Sequence, residues 1–206
     1  MNYGNGGRLM EDFWDGEWET LEGDFRELKA LGANVVRVHL QFGRFMEGTN
    51  TANPAALLQL RRLLRLAEAT GLYLDVTGLA CYRKADVPSW YDALDEPGRW
   101  NAQAFFWRTI AAQCAGSPAV FCYDLMNEPL APPDKRKPGD WYSGKPFGGY
   151  DFLQFIALDR AERKREDIAV AWIETMTRAI RETDPAKAGD TSVGSCPRRW
   201  WPNWIS

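Results

Sequence analysis

The feature that most constrains this chain is a regular alternation of helix-like and strand-like segments. Residues 17 to 31 place Trp18, Leu21, Phe25, Leu28 and Leu31 at steps of three and four, an amphipathic helix closed by Gly32. Residues 34 to 40 (NVVRVHL) are a β-branched run of strand length. A second helix is expected from about 54 to 70, with Leu57, Leu60, Leu63, Leu64 and Ala67 on one side and Gly71 as its stop, followed by a strand at 72 to 79. A third helix at about 101 to 115 precedes a strand at 119 to 129 (AVFCYDLMNEP). A fourth helix at about 160 to 183 and a weak strand at about 190 to 195 (DTSVGS) complete the order. Strands alternating with helices imply parallel pairing through right-handed crossovers. Apolar runs such as VVRVHL fit strands covered on both faces. The class is α/β. No Gly-x-Gly-x-x-Gly follows a strand to open a helix, which disfavours a dinucleotide-binding sheet.

Length and charge narrow the choices further. The 206 residues suit one globular unit, whereas a complete (β/α)8 barrel usually needs about 250. The net charge of −3 argues against a nucleic-acid partner, which selects for a basic face. No apolar run approaches the roughly 20 residues of a membrane span. The opening Met-Asn-Tyr-Gly-Asn-Gly-Gly lacks the pattern of a secretory leader, which leaves localisation open. Cys81, Cys114, Cys122 and Cys196 form no Cys-x-x-Cys pair and His39 is the sole histidine, so neither a metal site nor a cofactor is expected. Buried free thiols are the simpler reading, with a disulfide left open. Ten tryptophans, ten phenylalanines and seven tyrosines serve either core packing or stacking on the apolar faces of sugar rings.

The words that carry chemistry are Asp124-Leu125-Met126-Asn127-Glu128-Pro129. A carboxylate and an amide stand side by side where a buried strand ends, and a proline turns the chain away. In a parallel barrel, catalytic groups sit at the C-terminal ends of strands. Glycoside hydrolysis needs a carboxylic acid to protonate the departing oxygen, and a nearby amide can bind the sugar 2-OH. The competing explanation is a strand-end glutamate in a salt bridge or cap.

With Asn127-Glu128-Pro129 placed this way, the chain resembles the clan A glycoside hydrolases, particularly the family 5 cellulases and mannanases. The resemblance implies that Glu128 is the acid/base on the fourth strand of a TIM (β/α)8 barrel, with Asn127 beside it and Asp124 inside the barrel. Arg37, in Asn-Val-Val-Arg-Val, matches the arginine that orients the family's nucleophile; the alternative is an ordinary buried salt bridge, for instance to Asp124. Asn2-Tyr3-Gly4 resembles the end of strand one. His39 follows Arg37 by two and shares its face, so it contacts sugar hydroxyls or is a satisfied core histidine. Tyr82, Trp90 and Trp100 after strand three, and Trp141 and Tyr142 after the acid, are candidates for stacking on sugar, with plain packing as the alternative. The cluster Arg198-Arg199-Trp200-Trp201 has no clear reading.

One departure limits the match. Retention requires a second carboxylate roughly 5 to 5.5 Å away as nucleophile, and the family supplies it from strand seven. Glu162, Glu166, Glu174 and Glu182 all fall in the expected helix at 160 to 183, and Asp190 starts a strand instead of ending one. The expectation is therefore a partial TIM barrel of about five βα units, residues 1 to 206 forming an incomplete catalytic domain. By descent its reaction is retaining, endo-acting hydrolysis of a β-linked polysaccharide such as a β-glucan or β-mannan, and the chain alone is expected to have little or no activity. Two other readings stay open. One is a non-catalytic glycan-binding or scaffold module that self-associates through open sheet edges. The other is an open α/β enzyme of unrelated chemistry with a structural Glu128.

Overall fold

The computed structural model describes residues 8–133, 140–142 and 146–186. Three strands form its central sheet: β1 (Val35–Gln41), β4 (Tyr73–Ala80) and β5 (Val120–Asp124), in the order β1-β4-β5, all parallel. Between β1 and β4 run a short helix α2 (Phe42–Phe45), the small antiparallel pair β2 (Met46–Gly48) and β3 (Thr51–Ala52), and the crossover helix α3 (Pro54–Thr70). The turn α4 (Ser89–Asp92) and crossover helix α5 (Glu96–Cys114) join β4 to β5. Helix α1 (Trp18–Ala30) precedes the sheet and α6 (Arg165–Arg181) follows it. After β5, β6 (Pro129–Leu130) and β7 (Gln154–Phe155) make a separate parallel pair. The expected strand at 190 to 195, the Asn2-Tyr3-Gly4 opening, Cys196 and the 198–201 cluster lie outside the described residues.

The two faces of the sheet differ as the period of two requires. Val36, Val38, Leu74 and Val76 are fully buried in the same core as Leu60 and Leu63 of α3 and Phe106 and Trp107 of α5. Gly78 sits where β4 meets α5 so closely that an added Cβ would lie 2.3 Å from the Trp107 ring, which excludes any larger residue there. The opposite face carries Arg37, His39, Asp75 and Thr77, with Arg37 paired in register to Asp75 and His39 to Thr77. Cys81, Cys114 and Cys122 are buried, and the Cys122 thiol donates to Asp75 at 3.3 Å.

Local chemistry sets the boundaries, and three differ from expectation. The strand expected at 119 to 129 ends at Asp124, because the chain bends away through Glu128 with φ at 47°, and Pro129 opens β6 instead. Helix α3 starts where anticipated because the Asn53 side chain accepts the N–H groups of Ala55 and Ala56, with Pro54 at the first position and Gly71 left-handed at the end. Helix α5 begins at Glu96, not near 101, because Asp95 caps it by accepting the Gly98 N–H and Pro97 tolerates the first turn. Trp100 is therefore helical, and its indole donates to the Ile156 carbonyl at 2.6 Å. Helix α6 begins at Arg165, not 160, since Ala161 and Glu162 adopt left-handed φ values of 43° and 64°. Glu162 thus belongs to a turn, not to the helix as expected. Among the described residues, no helix is long and apolar enough to cross a membrane.

Candidate active site

Strand β5 ends at Asp124, and the next four residues leave the sheet in a sharp bend. The bend culminates at Glu128, whose φ is 47°, a left-handed conformation that costs a non-glycine residue about 1–2 kcal/mol. Such strain concentrates at functional sites, where surrounding structure holds it in place. Glu128 is exposed at the C-terminal rim of the sheet and lines a cleft of about 210 Å³ with Phe147, Phe152 and Leu153. A carboxyl group that must reach a substrate oxygen needs this exposure.

Beneath it lies a polar network that fixes the floor of the site. The Arg37 guanidinium donates to Asp124 through Nη2, to Asn127 Oδ1 at 3.2 Å, and through Nε to Thr77 Oγ1 at 2.7 Å. Asp75 approaches the same guanidinium at 3.8 Å, and Thr77 Oγ1 donates to Asp124 at 2.9 Å. Burial opposes the charge on Arg37, but Asp124 and Asp75 hold its pKa above the ordinary value. Burial, and then the neighbouring charge of Asp124, push Asp75 up to about 6. Asn127 is clamped at both ends, because its Nδ2 also donates to the Phe152 carbonyl at 3.3 Å. The amide beside the acid is thereby oriented by both the sheet and the later loop.

The aromatic and histidine candidates fall elsewhere. His39 is fully buried, with Nδ1 2.6 Å from the Tyr82 hydroxyl, and burial followed by the Arg37 charge lowers its pKa to about 3. Tyr82 is equally buried, its ring against His39 and Phe152. Trp141 is buried with its ring 4.1 Å from the guanidinium of Arg99, which also lies 3.9 Å over the Tyr91 ring. Trp90 is half-buried against Phe42 and Tyr91. Tyr142 is buried and donates to the Cys81 carbonyl at 2.7 Å. A stacking platform exposed at the surface is therefore not formed by Tyr82 and Trp141, nor is a sugar contact by His39. His39, Tyr82 and Tyr142 satisfy their polar ends inside the protein, the outcome that the large apolar area of such rings favours.

Sequence reasoning missed Asp75 and Thr77, although the same period of two that pairs Arg37 with His39 places both on the shared face. It also missed Glu11, for which no pattern gives a signal. Glu11 is buried and accepts the Tyr82 N–H at 3.1 Å. It sits with Asp12 and Asp86, both already paired by Arg83, so the three acids have a counter-charge of their own. Burial, partly offset by the Tyr82 N–H, raises the Glu11 pKa to about 8 from 4.5. The folded form thus holds a proton that the unfolded chain releases above pH 4.5. That preference is complete below pH 4.5 and is lost as pH rises through 8. Wild-type protein should lose about 2–3 kcal/mol of stability between pH 5 and pH 8 that Glu11→Gln does not lose, read from urea midpoints at both pH values. Parallel pH dependences in the two proteins would exclude this.

A parallel strand-and-helix layer defines an α/β protein, and its exposed, strained Glu128 lies at the strand rim where barrel enzymes carry catalytic groups. The cellulase model of glycosyl hydrolase family 5 matches residues 3–188, and the chain belongs to that family. Its architecture is that of a partial TIM barrel. Among solved structures, it is similar to a GH5_18 protein from Streptomyces cattleya crystallised with Manβ1-4GlcNAc, at a TM-score of 0.62 and 21% identity over 84% of this chain and 39% of that one. A GH5_18 protein from Bifidobacterium longum subsp. longum gives 0.58 and 16%, covering 82% and 38%. The exo-β-1,4-mannosidase Op5Man5 from Opitutaceae bacterium strain TAV5 gives 0.61 and 20%, covering 84% and 27%. The chain thus spans well under half the length of these proteins. At such identities the likeness is one of fold. No curated protein matches the chain.

Proposed function

We propose that this chain supplies the acid/base half of a retaining glycosidase site, and that the bond cleaved is a β-mannosidic or related β-linkage in an oligo- or polysaccharide. Glu128 protonates the departing glycosidic oxygen, then takes a proton from the water that attacks the glycosyl-enzyme intermediate. Asn127 holds a sugar hydroxyl beside it, and Arg37 anchors Asn127. Family membership and the strained, exposed placement of Glu128 support this reading, and the second observation carries most of the weight. The β-mannoside choice rests on the Manβ1-4GlcNAc complex and the mannosidase among proteins of like fold. Endo action on a β-glucan or β-mannan is the broader form of the same proposal.

The partner carboxylate is the element that the described residues do not offer. Of the described strands, only β5 leads into a glutamate beyond its C-terminal end; β1 leads into Phe42 and β4 into Cys81. A glutamate from another strand would serve as nucleophile. The 206-residue chain by itself is accordingly expected to release no sugar from a β-mannoside. Turnover with retained anomeric configuration by the purified chain would end that expectation.

One observation favours the binding-module alternative. The face bearing Arg37 also exposes Tyr73, 50% accessible, beside Phe121, 39% accessible, with ring centroids 6.3 Å apart. Exposed apolar surface of this kind promotes self-association. Size-exclusion chromatography combined with glycan pull-down separates the two: a dimer that retains glycan without cleaving it supports the module.

A further inference from the structure

On the outer side of the fold, α1 and α3 frame a groove of about 540 Å³, within the size range of small-ligand sites. It shares no residue with the Glu128 cleft, and both helices that form it are fully described. Trp18 and Leu66 give it an apolar floor, and its charged lining is Arg26, Lys29, Arg62 and Arg65 against the single acid Glu22. Arg62 lies 4.1 Å over the Trp18 ring and 3.5 Å from Glu22, so one cation is compensated. Lys29 donates to the Gly71 carbonyl at 2.7 Å, a bond that leaves its charge unneutralised. Arg26 and Arg65 stand exposed on the facing helices. The groove is therefore basic in a chain whose net charge is −3.

We propose that this groove is a carbohydrate exosite for a carboxylate-bearing glycan, such as a run of uronic acid residues. Planar guanidinium groups recognise carboxylates through paired N–H donors, and Trp18 holds one of them, Arg62, stacked on its ring at the groove floor. Charge complementarity selects an anion. Membership in a glycosyl hydrolase family is the reason a glycan is taken as the carrier of that anion. The site would hold an acidic polymer on the protein's outer wall, independent of whether Glu128 performs the chemistry proposed above.

The test uses the 206-residue chain and oligogalacturonate of six sugars, with cellohexaose as the neutral control, by isothermal titration at low and at physiological ionic strength. Binding of the acidic oligosaccharide should weaken several-fold as salt rises. The doubly substituted Arg26→Gln, Arg65→Gln protein should bind it at least about tenfold more weakly, since two charge-assisted contacts are lost. Both substitutions fall on exposed helix positions, and unchanged circular dichroism would show the fold intact. Equal binding of cellohexaose, an unaffected double variant, or no binding of oligogalacturonate would overturn the proposal. So would tighter binding of a DNA oligonucleotide or of anionic phospholipid vesicles under the same salt.

Discussion

Glu128→Gln, in an enzyme that joins this chain to a complete family 5 barrel, should lower kcat/KM on an unactivated β-mannoside by about 10²–10⁴-fold. The substitution keeps side-chain size and the polar end but removes the transferable proton. The loss must depend on the leaving group. A dinitrophenyl glycoside departs without protonation, so formation of the glycosyl-enzyme should persist while its hydrolysis slows, leaving the intermediate to accumulate. A small anionic nucleophile such as azide should then restore turnover of that substrate, because it attacks without a general base. These signatures separate an acid/base from a residue that merely supports the bend. A Glu128→Gln enzyme that hydrolyses both substrates at wild-type rates would leave Glu128 structural and remove the basis of the functional reading.

Arg37→Ala should destabilise the protein by about 1–3 kcal/mol, less than a fully buried pair would cost because its network is only part-buried. Its guanidinium is the common partner of Asp124, Asp75 and Asn127. Without it, two neighbouring carboxylates face each other on one side of the sheet, where burial first and then the Asp124 charge already hold the Asp75 carboxyl above its ordinary value. Adding Asp124→Asn should recover part of the loss by deleting one of those charges. A double-mutant cycle on urea midpoints gives the coupling, expected at about 1–3 kcal/mol. Additive effects of the two substitutions would mean that the pair is not energetically joined. In the joined enzyme, Arg37→Ala should also reduce activity through Asn127, which would lose the contact that orients its amide.

The order of secondary structure was legible because each element repeats its own period. Strand β1 lies one residue from its expected bounds, and α3 falls on them, since Asn53, Pro54 and Gly71 mark its ends in the sequence itself. The start of helix α5 differs from its expected position because polar and apolar residues alternate along it with little one-sided periodicity. The Asp95 cap and Pro97 were the better signals. Asn127, Glu128 and Arg37 are the site candidates that local words offer, and the fold brings Arg37 within 3.2 Å of Asn127. Thr77 and Asp75 required register, and register depends on which strands are neighbours. The aromatic residues were the weakest part of the reading. Composition cannot say whether a ring faces solvent or core, and Tyr82, Trp141 and Tyr142 turned inward.

The sequence by itself determined the alternation of strands and helices, the strand-end carboxylate at 128 and the family to which the chain belongs, because these depend on residue types at short spacing. Only the tertiary structure decided that Arg37 ties Asp124, Asp75 and Asn127 together, that Glu11 is buried beside Tyr82, and that α1 and α3 gather arginines into one groove. Those facts join residues as much as 90 positions apart in the chain, as Arg37 and Asn127 are. Burial and long-range charge follow from where a segment packs, which no local pattern encodes.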